Sequence, residues 1–182
     1  MSLNYSYSIE LQGVILNIAF KTERLLIRFA QIADAGELLK LVNQANFIKY
    51  IGDKGIHTLD DAKKYIKDSF IAAHKEHGFG PYMITLHDET VVGIVGFYQR
   101  ATMQHPDLGF ALKVGFEKKG YIFEAATILL YNRHKLGIKD VCAITSTANL
   151  GSQNSLYKLG FTEVGKAVIN ADKTTIKVFI YD

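Results

Sequence analysis

The alternation of hydrophobic and polar positions divides the chain into strand-like and helix-like segments. Short apolar or alternating runs between turn residues predict β-strands, whereas apolar residues spaced three and four apart predict amphipathic helices. Strands are predicted at 14–20, 24–29, 81–86, 91–98, 107–114, 141–147, 161–169 and 174–181, and helices at 34–46, 58–77, 121–136 and 149–161. Asp88-Glu-Thr and Asn170-Ala-Asp-Lys, each between two strands, predict antiparallel hairpins. Thr58 and Asp61 have the spacing of a capping box, and Gly137 is placed to end a helix.

The order of these segments predicts a mixed α/β fold. Only the middle of the chain alternates strand, helix and strand in the way that makes neighbouring strands parallel. We therefore expect an α/β (α+β mixed) architecture, with a mixed six- to seven-stranded sheet, a central parallel strand pair and about four flanking helices. A length of 182 residues suits one domain over 1–182, in which 1–20 is an amino-terminal extension with an extra strand. Its apolar part, Ile9–Phe20, could pair with its own sheet or with another subunit, so both a monomer and a homodimer are open.

Composition narrows the class of partner. The formal net charge is only +3 and the Lys and Arg residues are scattered, so neither nucleic acid nor an anionic membrane is indicated. No apolar run approaches the roughly 20 residues of a membrane helix, and the amino terminus lacks the pattern of a secretory signal. The single cysteine, Cys142, lies in a strand-like run, which favours a small buried hydrophobe. These features predict a cytoplasmic protein without a disulfide framework.

Two predicted helices begin where the two parallel strands end. The loop Gly115–Gly120, which contains Lys118 and Lys119, follows the first strand, and Asn149 follows the second. Both helix starts therefore lie at the carboxyl edge of the sheet, where free backbone N–H groups and the helix dipole favour an anionic ligand. A plain turn and a plain helix cap are the alternative interpretations.

Spacing along the last helix singles out one pair of polar residues. At ~100° per residue, Asn149 and Ser152 lie within about 60° of each other on one face, whereas Tyr157 lies about 140° from Ser152. Asn149 and Ser152 are therefore candidates to face a ligand together, while Tyr157 points elsewhere. The polar start of this helix can cap itself and also face the ligand.

Several motifs together resemble those of the GNAT superfamily of acyl-coenzyme A-dependent N-acetyltransferases, most closely its ribosomal-protein-alanine N-acetyltransferase-like branch. The resemblance runs from Thr22 to about Tyr181. The motifs are Thr22-Glu-Arg-Leu with Leu26-Ile-Arg, Val92-Gly-Ile-Val-Gly, Asp107-Leu-Gly-Phe, Lys119-Gly-Tyr with Glu124-Ala, and Asn149-x-x-Ser152 ending in Lys158-Leu-Gly-Phe. It implies an N-acetyltransferase that moves an acetyl group from acetyl-CoA to a primary amine by direct transfer.

The resemblance also implies a cofactor site. The family's pyrophosphate loop reads Gln or Arg, two residues, Gly, one residue, then Gly or Ala, where this chain has Glu117, Gly120 and Ile122; only Gly120 matches. Glu117 adds a negative charge near the expected phosphates and Ile122 adds bulk, while the two lysines of the loop partly offset Glu117. The implied coenzyme A contacts are Phe110, Ala111, Leu112, Val114, Lys118, Lys119, Gly120, Tyr121, Ile122, Asn149 and Ser152. No metal ion is expected, since no spacing of His, Asp and Glu resembles a ligand set.

Catalytic roles follow from the same resemblance. Ser152 is the candidate general acid that protonates the departing thiolate, and Asp107 is the first candidate for the base, with His105 second. Asp107 as a solvated carboxylate at a strand start is the alternative. The acceptor site is implied to be lined by Tyr50, Asp53 and His57, and either a protein N-terminus or a small-molecule amine would fit the class.

Two rival functions stay open at this stage. A catalytically inactive GNAT-fold module, binding coenzyme A as a sensor or no cofactor at all, would explain the divergent loop at Glu117 and Ile122. A different α/β nucleotide-binding enzyme is less favoured, because neither a complete phosphate-loop motif nor a complete dinucleotide fingerprint is present. Binding of coenzyme A and turnover with an amine distinguish these functions.

Overall fold

The computed structural model describes residues 7–11, 14–168 and 174–181. Nine strands are present in this part of the chain: β1 (Tyr7–Leu11), β2 (Val14–Lys21), β3 (Leu25–Arg28), β4 (Pro81–Leu86), β5 (Val91–Tyr98), β6 (Asp107–Leu112), β7 (Val141–Ser146), β8 (Thr162–Val168) and β9 (Thr175–Tyr181). The α-helices of the described part are α1 (Ala35–Val42), α2 (Ala45–Ile51), α3 (Leu59–Tyr65), α4 (Ala72–His77), α5 (Tyr121–Asn132) and α6 (Leu150–Lys158). Short 3₁₀ turns, Ile32–Asp34 and Arg133–Leu136, precede α1 and follow α5.

The strands form one continuous sheet in the order β1-β2-β3-β4-β5-β6-β7-β9-β8. Only β6 and β7 are parallel, and the other neighbours are antiparallel. The predicted mixed α/β architecture with a central parallel pair is confirmed. The sheet exceeds the predicted six or seven strands because β1 and β2 add an antiparallel hairpin at its edge, in register from Tyr7 opposite Ile18 to Leu11 opposite Val14. The described parts of the segment Ile9–Phe20, which lie in β1 and β2, therefore pair with the chain's own sheet.

Helices cover both faces of the sheet, and each face has its own apolar core. The face under α5 and α6 buries Leu108, Leu129 and Leu156, while the face under α1 to α4 buries Leu38 and Phe70. Strands β4 and β5 contribute to both cores, which explains why their sequences read as continuous rather than alternating apolar runs. No helix in the described ranges is long and apolar enough to span a membrane.

The prediction of one helix at 34–46 is wrong in one respect, because the helix is interrupted between α1 and α2. Gln44 has an extended backbone (φ −65°, ψ 141°) and starts α2. Asn43 Nδ2 donates to the Leu39 and Ile56 carbonyls, both at 2.8 Å. Side-chain hydrogen bonds to backbone groups, including that of Ile56 beyond α2, therefore outweigh the continuing amphipathic pattern at this point.

Other local predictions are confirmed with small differences. Thr58 and Asp61 form the reciprocal capping box that starts α3, with the Thr58 hydroxyl accepting from the Asp61 N–H at 3.1 Å. A π-helical segment, Ile66–Ile71, joins α3 to α4 where a uniform helix was predicted. The β4–β5 hairpin turns at 88–90 as predicted, and Gly137 ends the helical segment after α5 in a left-handed conformation (φ 77°). The turn predicted at 170–173 lies outside the described residues, although β8 and β9 do pair antiparallel.

Candidate active site

The two parallel strands touch at their starts and then separate. Asp107 of β6 pairs with Cys142 of β7, and the Cys142 N–H donates to the Pro106 carbonyl at 3.0 Å. Beyond this pairing β7 bonds to β9 on its other side, while the carboxyl halves of β6 and β7 diverge. We call the space between these halves the β6–β7 gap. It opens at the carboxyl edge of the sheet, where α/β folds place ligands.

One edge of β6 faces this gap. The Lys113 N–H donates to the Val92 carbonyl at 2.9 Å, so the odd-numbered residues of β6 bond to β5. The even-numbered residues therefore turn their backbone groups toward the gap, and they include two predicted cofactor residues, Phe110 and Leu112, with Val114 just beyond the strand. Ala111 differs, because its carbonyl faces β5 so closely that a Cβ on Gly93 would lie 2.2 Å from it. The backbone of Ala111 is thus committed to the sheet rather than to the gap.

The loop between β6 and α5 contains three left-handed residues, Gly115, Lys118 and Gly120. Lys118 and Gly120 both have positive φ (62° and 81°), which places tight turns just before the helix starts. The Glu117 carboxylate accepts from the Gly115 N–H at 2.8 Å, so it is folded back onto its own loop. The side chain of Ile122 is 7% exposed and belongs to the core under α5. Neither the charge of Glu117 nor the bulk of Ile122 is therefore directed into the mouth of the gap.

A network centred on Arg24 holds this loop against the sheet. The guanidinium of Arg24 donates to the Lys119 carbonyl at 2.9 Å and to Glu124 of α5 at 2.7 Å, and it packs on the Tyr121 ring with its centre 4.9 Å from the centroid. Burial of Glu124 opposes its ionisation, but hydrogen bonds from Thr22 and Arg24 outweigh that effect and lower its pKa. The sequence patterns singled out the motifs Thr22-Glu-Arg-Leu and Glu124-Ala but predicted no role for Arg24 or Glu124.

The start of α5 presents backbone donors that have no partner among the described residues, at the end of this network. The first bond of this helix runs from the Glu124 N–H to the Gly120 carbonyl at 3.0 Å. The N–H groups of 121–123 therefore precede the helical ladder and point toward the loop mouth, with the positive end of the helix dipole. Lys118 and Lys119 add positive charge there. This arrangement suits a phosphate or pyrophosphate.

The start of α6 is capped by Asn149. Its Oδ1 accepts from the Ser152 N–H at 3.1 Å, and in the described part of the chain neither its Nδ2 nor the Ser152 hydroxyl has a protein partner. Gln153, which sequence reasoning missed, is buried and donates to the Ser146 and Thr147 carbonyls at 3.1 and 3.0 Å. It fixes the helix start to the end of β7, so the Asn149 amide and the Ser152 hydroxyl stand at the carboxyl edge of the gap.

Tyr157 has no part in this arrangement. Its hydroxyl donates to Glu163 at 2.6 Å and its ring packs on Phe179, with centroids 5.4 Å apart. Both partners lie in the strands that follow α6. The prediction that Tyr157 points elsewhere than Ser152 is in accord with these contacts.

Asp107 lies at the opposite end of the parallel pair from Ser152. Its carboxylate is almost fully buried (2% exposed) and receives two hydrogen bonds from Arg100, at 2.6 and 3.2 Å. Burial raises the pKa of Asp107, and the Arg100 guanidinium only partly offsets that shift. Along β7, Cys142, beside Asp107, is four residue steps from Ser146, beside α6, which is ~13 Å of strand. The two predicted catalytic side chains therefore lie at different ends of the gap.

Two neighbours of Asp107 have different environments. Cys142 is buried, its thiol faces the His105 and Pro106 carbonyls, and burial raises its pKa to about 11. It is thus a neutral thiol, as its place in a strand predicted. The side chain of His105 lies near Asp140, with its Nδ1 3.9 Å from the Asp140 carboxylate.

The three predicted acceptor residues lie in α2 and the loop after it. Tyr50 is half-buried beneath the Lys49 ammonium (5.1 Å), and His57 lies 3.7 Å from the Asp53 carboxylate. The residue of this loop that approaches the Asp107 pair is Lys54, which sequence reasoning missed. Partial burial and the nearby Arg100 lower the pKa of Lys54, whereas Asp107 opposes the shift. The α2–α3 loop therefore brings a positive charge, rather than His57, toward the start of β6.

No group of three or more His, Cys, Asp and Glu side chains that could hold a metal ion occurs among the described residues. The site offers instead a free strand edge, backbone donors at a helix start, and a hydroxyl at the gap. These groups suit an extended ligand with an anionic end.

Comparison with known proteins identifies the family of this chain. The family described as "Acetyltransferase (GNAT) domain" matches residues 24–162. The chain is 27% identical over 146 residues to "Uncharacterized N-acetyltransferase YnaD" of Bacillus subtilis (strain 168), covering 79% of this chain and 82% of that protein. It is 30% identical over 131 residues to "Uncharacterized N-acetyltransferase YjdG" of the same organism, covering 66% and 70%.

Solved structures agree in fold. The ribosomal L7/L12 alpha-N-protein acetyltransferase RimL superposes with a TM-score of 0.80 at 15% identity, covering 96% of this chain and 99% of that one. The ribosomal-protein-S5-alanine acetyltransferase of Vibrio fischeri gives 0.73 at 17% identity, covering 89% and 94%. The microcin C7 self-immunity acetyltransferase MccE, solved with acetyl-CoA and AMP, gives 0.74 at 20% identity, covering 88% and 93%. The match over residues 24–162, together with this fold, shows that the chain belongs to the GNAT acetyltransferase family.

Proposed function

We propose that the protein transfers an acetyl group from acetyl-CoA directly to a primary amine, with coenzyme A and the N-acetylated amine as products. The observation that carries this proposal is the edge of β6 toward the gap, which β5 leaves open at Phe110 and at the Leu112 N–H, together with the N–H groups at the start of α5 beyond the loop. An extended arm can add to that edge as a strand while its diphosphate binds the helix start. Relatives solved with coenzyme A or acetyl-CoA support the choice of acyl carrier.

The chain's polar groups suit the two proton transfers of this reaction. The amine nitrogen attacks the thioester carbonyl carbon, the C–S bond breaks, and the sulfur leaves as a thiolate that must be protonated. The Ser152 hydroxyl is the proposed donor of that proton, which its lack of another partner in the described chain supports. The nitrogen loses a proton, and Asp107, whose pKa is raised by burial, is its proposed acceptor. Because Asp107 lies a strand length from Ser152, this proton then passes through water to the Ser152 oxygen, which restores both groups and leaves coenzyme A as the free thiol.

The acceptor is a primary amine, and its size is left to experiment. RimL and the Vibrio fischeri enzyme are described as acetylating ribosomal proteins, whereas MccE is described as an immunity enzyme. A protein N-terminus and a small-molecule amine are therefore both candidates. The loop that carries Tyr50, Asp53 and Lys54 is the proposed wall of the acceptor site.

Calorimetric titration with acetyl-CoA, with ATP and NAD as controls, tests the proposal first. We expect selective binding in the micromolar range, followed by release of free thiol when an amine is added from a panel of Ser- and Ala-terminated peptides and polyamines. Binding without turnover across the panel would favour a coenzyme A sensor. Absence of binding at millimolar acetyl-CoA would remove both the transferase and the sensor.

A further inference from the structure

Gln44, in the break between α1 and α2, reaches across to the end of β6. Its Oε1 accepts from the Val114 N–H at 2.6 Å, and its Nε2 donates to the Leu112 carbonyl at 3.2 Å. Nε2 also donates to the Leu41 carbonyl at 3.2 Å. These partners fix the orientation of the amide, because an N–H group must face its oxygen and two carbonyls must face its NH₂ group.

The two groups on β6 belong to the strand edge that faces the gap. A residue of a parallel neighbouring strand donates to the carbonyl of one residue and accepts from the N–H two residues later. Gln44 makes this same pair of bonds with a single side-chain amide, at Leu112 and Val114. It therefore fills one position of the missing strand and closes the edge at its carboxyl end.

The groups left for an added strand are those that precede this closure. They are the N–H and carbonyl of Phe110 and the N–H of Leu112, which face the gap by the same alternation. With Gln44 in place, an arm that adds to β6 can bond only to these backbone groups. Without Gln44, the arm can also bond to the Leu112 carbonyl and the Val114 N–H, which shifts its register by two residues. The two registers differ by about 7 Å along the strand.

We propose that Gln44 is a positioning residue that fixes the register of the pantetheine arm along β6 and hence the place of the thioester. The inference rests on the proposed acetyl-CoA-dependent function. A shift of about 7 Å would carry the thioester beyond reach of an amine that must approach within about 3.5 Å. Removing the Gln44 amide should therefore impair the chemical step more than the binding of the cofactor.

A second contact between the same elements supplies a matched control. The Lys113 ammonium pairs with Glu37 of α1, which also ties the end of β6 to the first helix. This ion pair uses a side chain on the α1 face of the strand and leaves the edge toward the gap untouched. Glu37→Gln thus weakens the link between α1 and the end of β6 without freeing the Leu112 carbonyl and the Val114 N–H, which Gln44 binds.

Amide exchange measured by NMR, with and without coenzyme A, tests the register. In the wild type we expect the Val114 N–H to be protected throughout and the Leu112 N–H to gain protection when coenzyme A binds. In Gln44→Ala the Val114 N–H should exchange freely without coenzyme A and become protected with it. Loss of Val114 protection when coenzyme A binds to the wild type would overturn the proposal, since Gln44 would then be displaced by the arm.

Kinetics with acetyl-CoA and the best amine of the panel give the second readout. We expect kcat to fall at least tenfold in Gln44→Ala while the Kd for acetyl-CoA changes less than threefold, and Glu37→Gln to stay near the wild type in both. Equal losses in Gln44→Ala and Glu37→Gln would reduce Gln44 to a tether and overturn its positioning role. If the wild type turns over and Gln44→Ala matches it, only this inference fails. If the wild type neither binds acetyl-CoA nor turns over, the proposed function fails and this inference falls with it.

Discussion

The Arg24 guanidinium donates to the Lys119 carbonyl at 2.9 Å while it packs over the Tyr121 ring, so the first motif of the chain holds the loop in front of α5. Arg24→Met should lower the affinity for acetyl-CoA about tenfold, because a charge-assisted hydrogen bond that orders the loop is lost. Calorimetric titration measures this change.

Arg133→Met is the matched control for Arg24. The Arg133 guanidinium also packs on an aromatic ring, that of Tyr181 at 5.0 Å, and donates to the Leu130 carbonyl at 3.1 Å, but it lies at the far end of α5. Its removal should leave acetyl-CoA affinity within about twofold of the wild type. An equal loss in both variants would mean that general loosening of α5, rather than the loop, controls binding.

Ser152→Ala should lower kcat by at least about tenfold with no change in the Kd for acetyl-CoA. The reason is that the departing thiolate loses its proton donor, an effect that general acids usually exert at 10²-fold or more. Single-turnover measurements, which show whether the chemical step limits the rate, are the appropriate test. Ser155→Ala is the control, since Ser155 lies one turn later and its hydroxyl donates to the Gly151 carbonyl at 2.9 Å within the helix. Unchanged single-turnover rates in Ser152→Ala would exclude the general-acid role.

The pH dependence of kcat/KM should report on Asp107. Protonation of the amine alone gives a slope of one in log(kcat/KM) against pH, and a second required base steepens that slope to two below its own pKa. Because burial raises the pKa of Asp107, the steepening should begin above the ordinary value of about 3.9. Asp107→Asn should keep a slope of one throughout, with a lower rate.

Asp140→Asn is the control for the Asp107 profile. Asp140 is a half-exposed carboxylate just before the neighbouring strand β7, and it lies near His105 rather than Arg100. This variant should retain the steep acidic limb. If Asp107→Asn keeps that limb as well, Asp107 serves only to hold Arg100, and the base must be sought elsewhere.

Local sequence signals predicted the parts of this fold that depend on neighbouring residues. The Thr58 capping box, the Asn149 helix cap and the end at Gly137 each arise within a few residues of chain, and all are present. The parallel pair followed from the order of strands and helices alone. Such features need no knowledge of distant contacts, which is why patterns in the sequence suffice.

The features that sequence patterns missed depend on residues far apart in the chain. The break at Gln44 is stabilised by bonds to β6 about 70 residues later, while the apolar spacing around it continues as if the helix did. Arg24 and Glu124 are 100 residues apart, so two separate motifs gave no sign of one network. A solvated carboxylate was the open alternative for Asp107, but folding buries this side chain against Arg100. Each case needed the tertiary contact before its role could be inferred.

His74 should make stability depend on pH. Its Nε2 lies 3.0 Å from the Pro81 carbonyl and its ring packs between Phe29 and Tyr82, with centroids 4.8 and 4.6 Å away. Burial lowers the pKa of His74, and the Pro81 carbonyl only partly opposes this shift. The folded state therefore binds a proton less readily than the unfolded chain, whose histidines titrate near 6.5.

The sign of this dependence follows directly. Above about pH 6.5 the imidazole is neutral in both states, so His74 does not make the free energy of unfolding depend on pH. As the pH falls through that value, the unfolded state takes up the proton first. The free energy of unfolding therefore decreases until the pH has passed the lowered pKa of the folded state. Urea unfolding at several pH values between 7.5 and 4.5 should show a smaller decrease for His74→Gln, which keeps a donor for Pro81 but cannot titrate. His77→Gln, three residues along α4 and more exposed, is the control that removes an imidazole without touching Pro81. If the free energy of unfolding of His74→Gln decreases with falling pH as much as that of the wild type, the acid sensitivity belongs to other groups, because this variant has no imidazole at position 74.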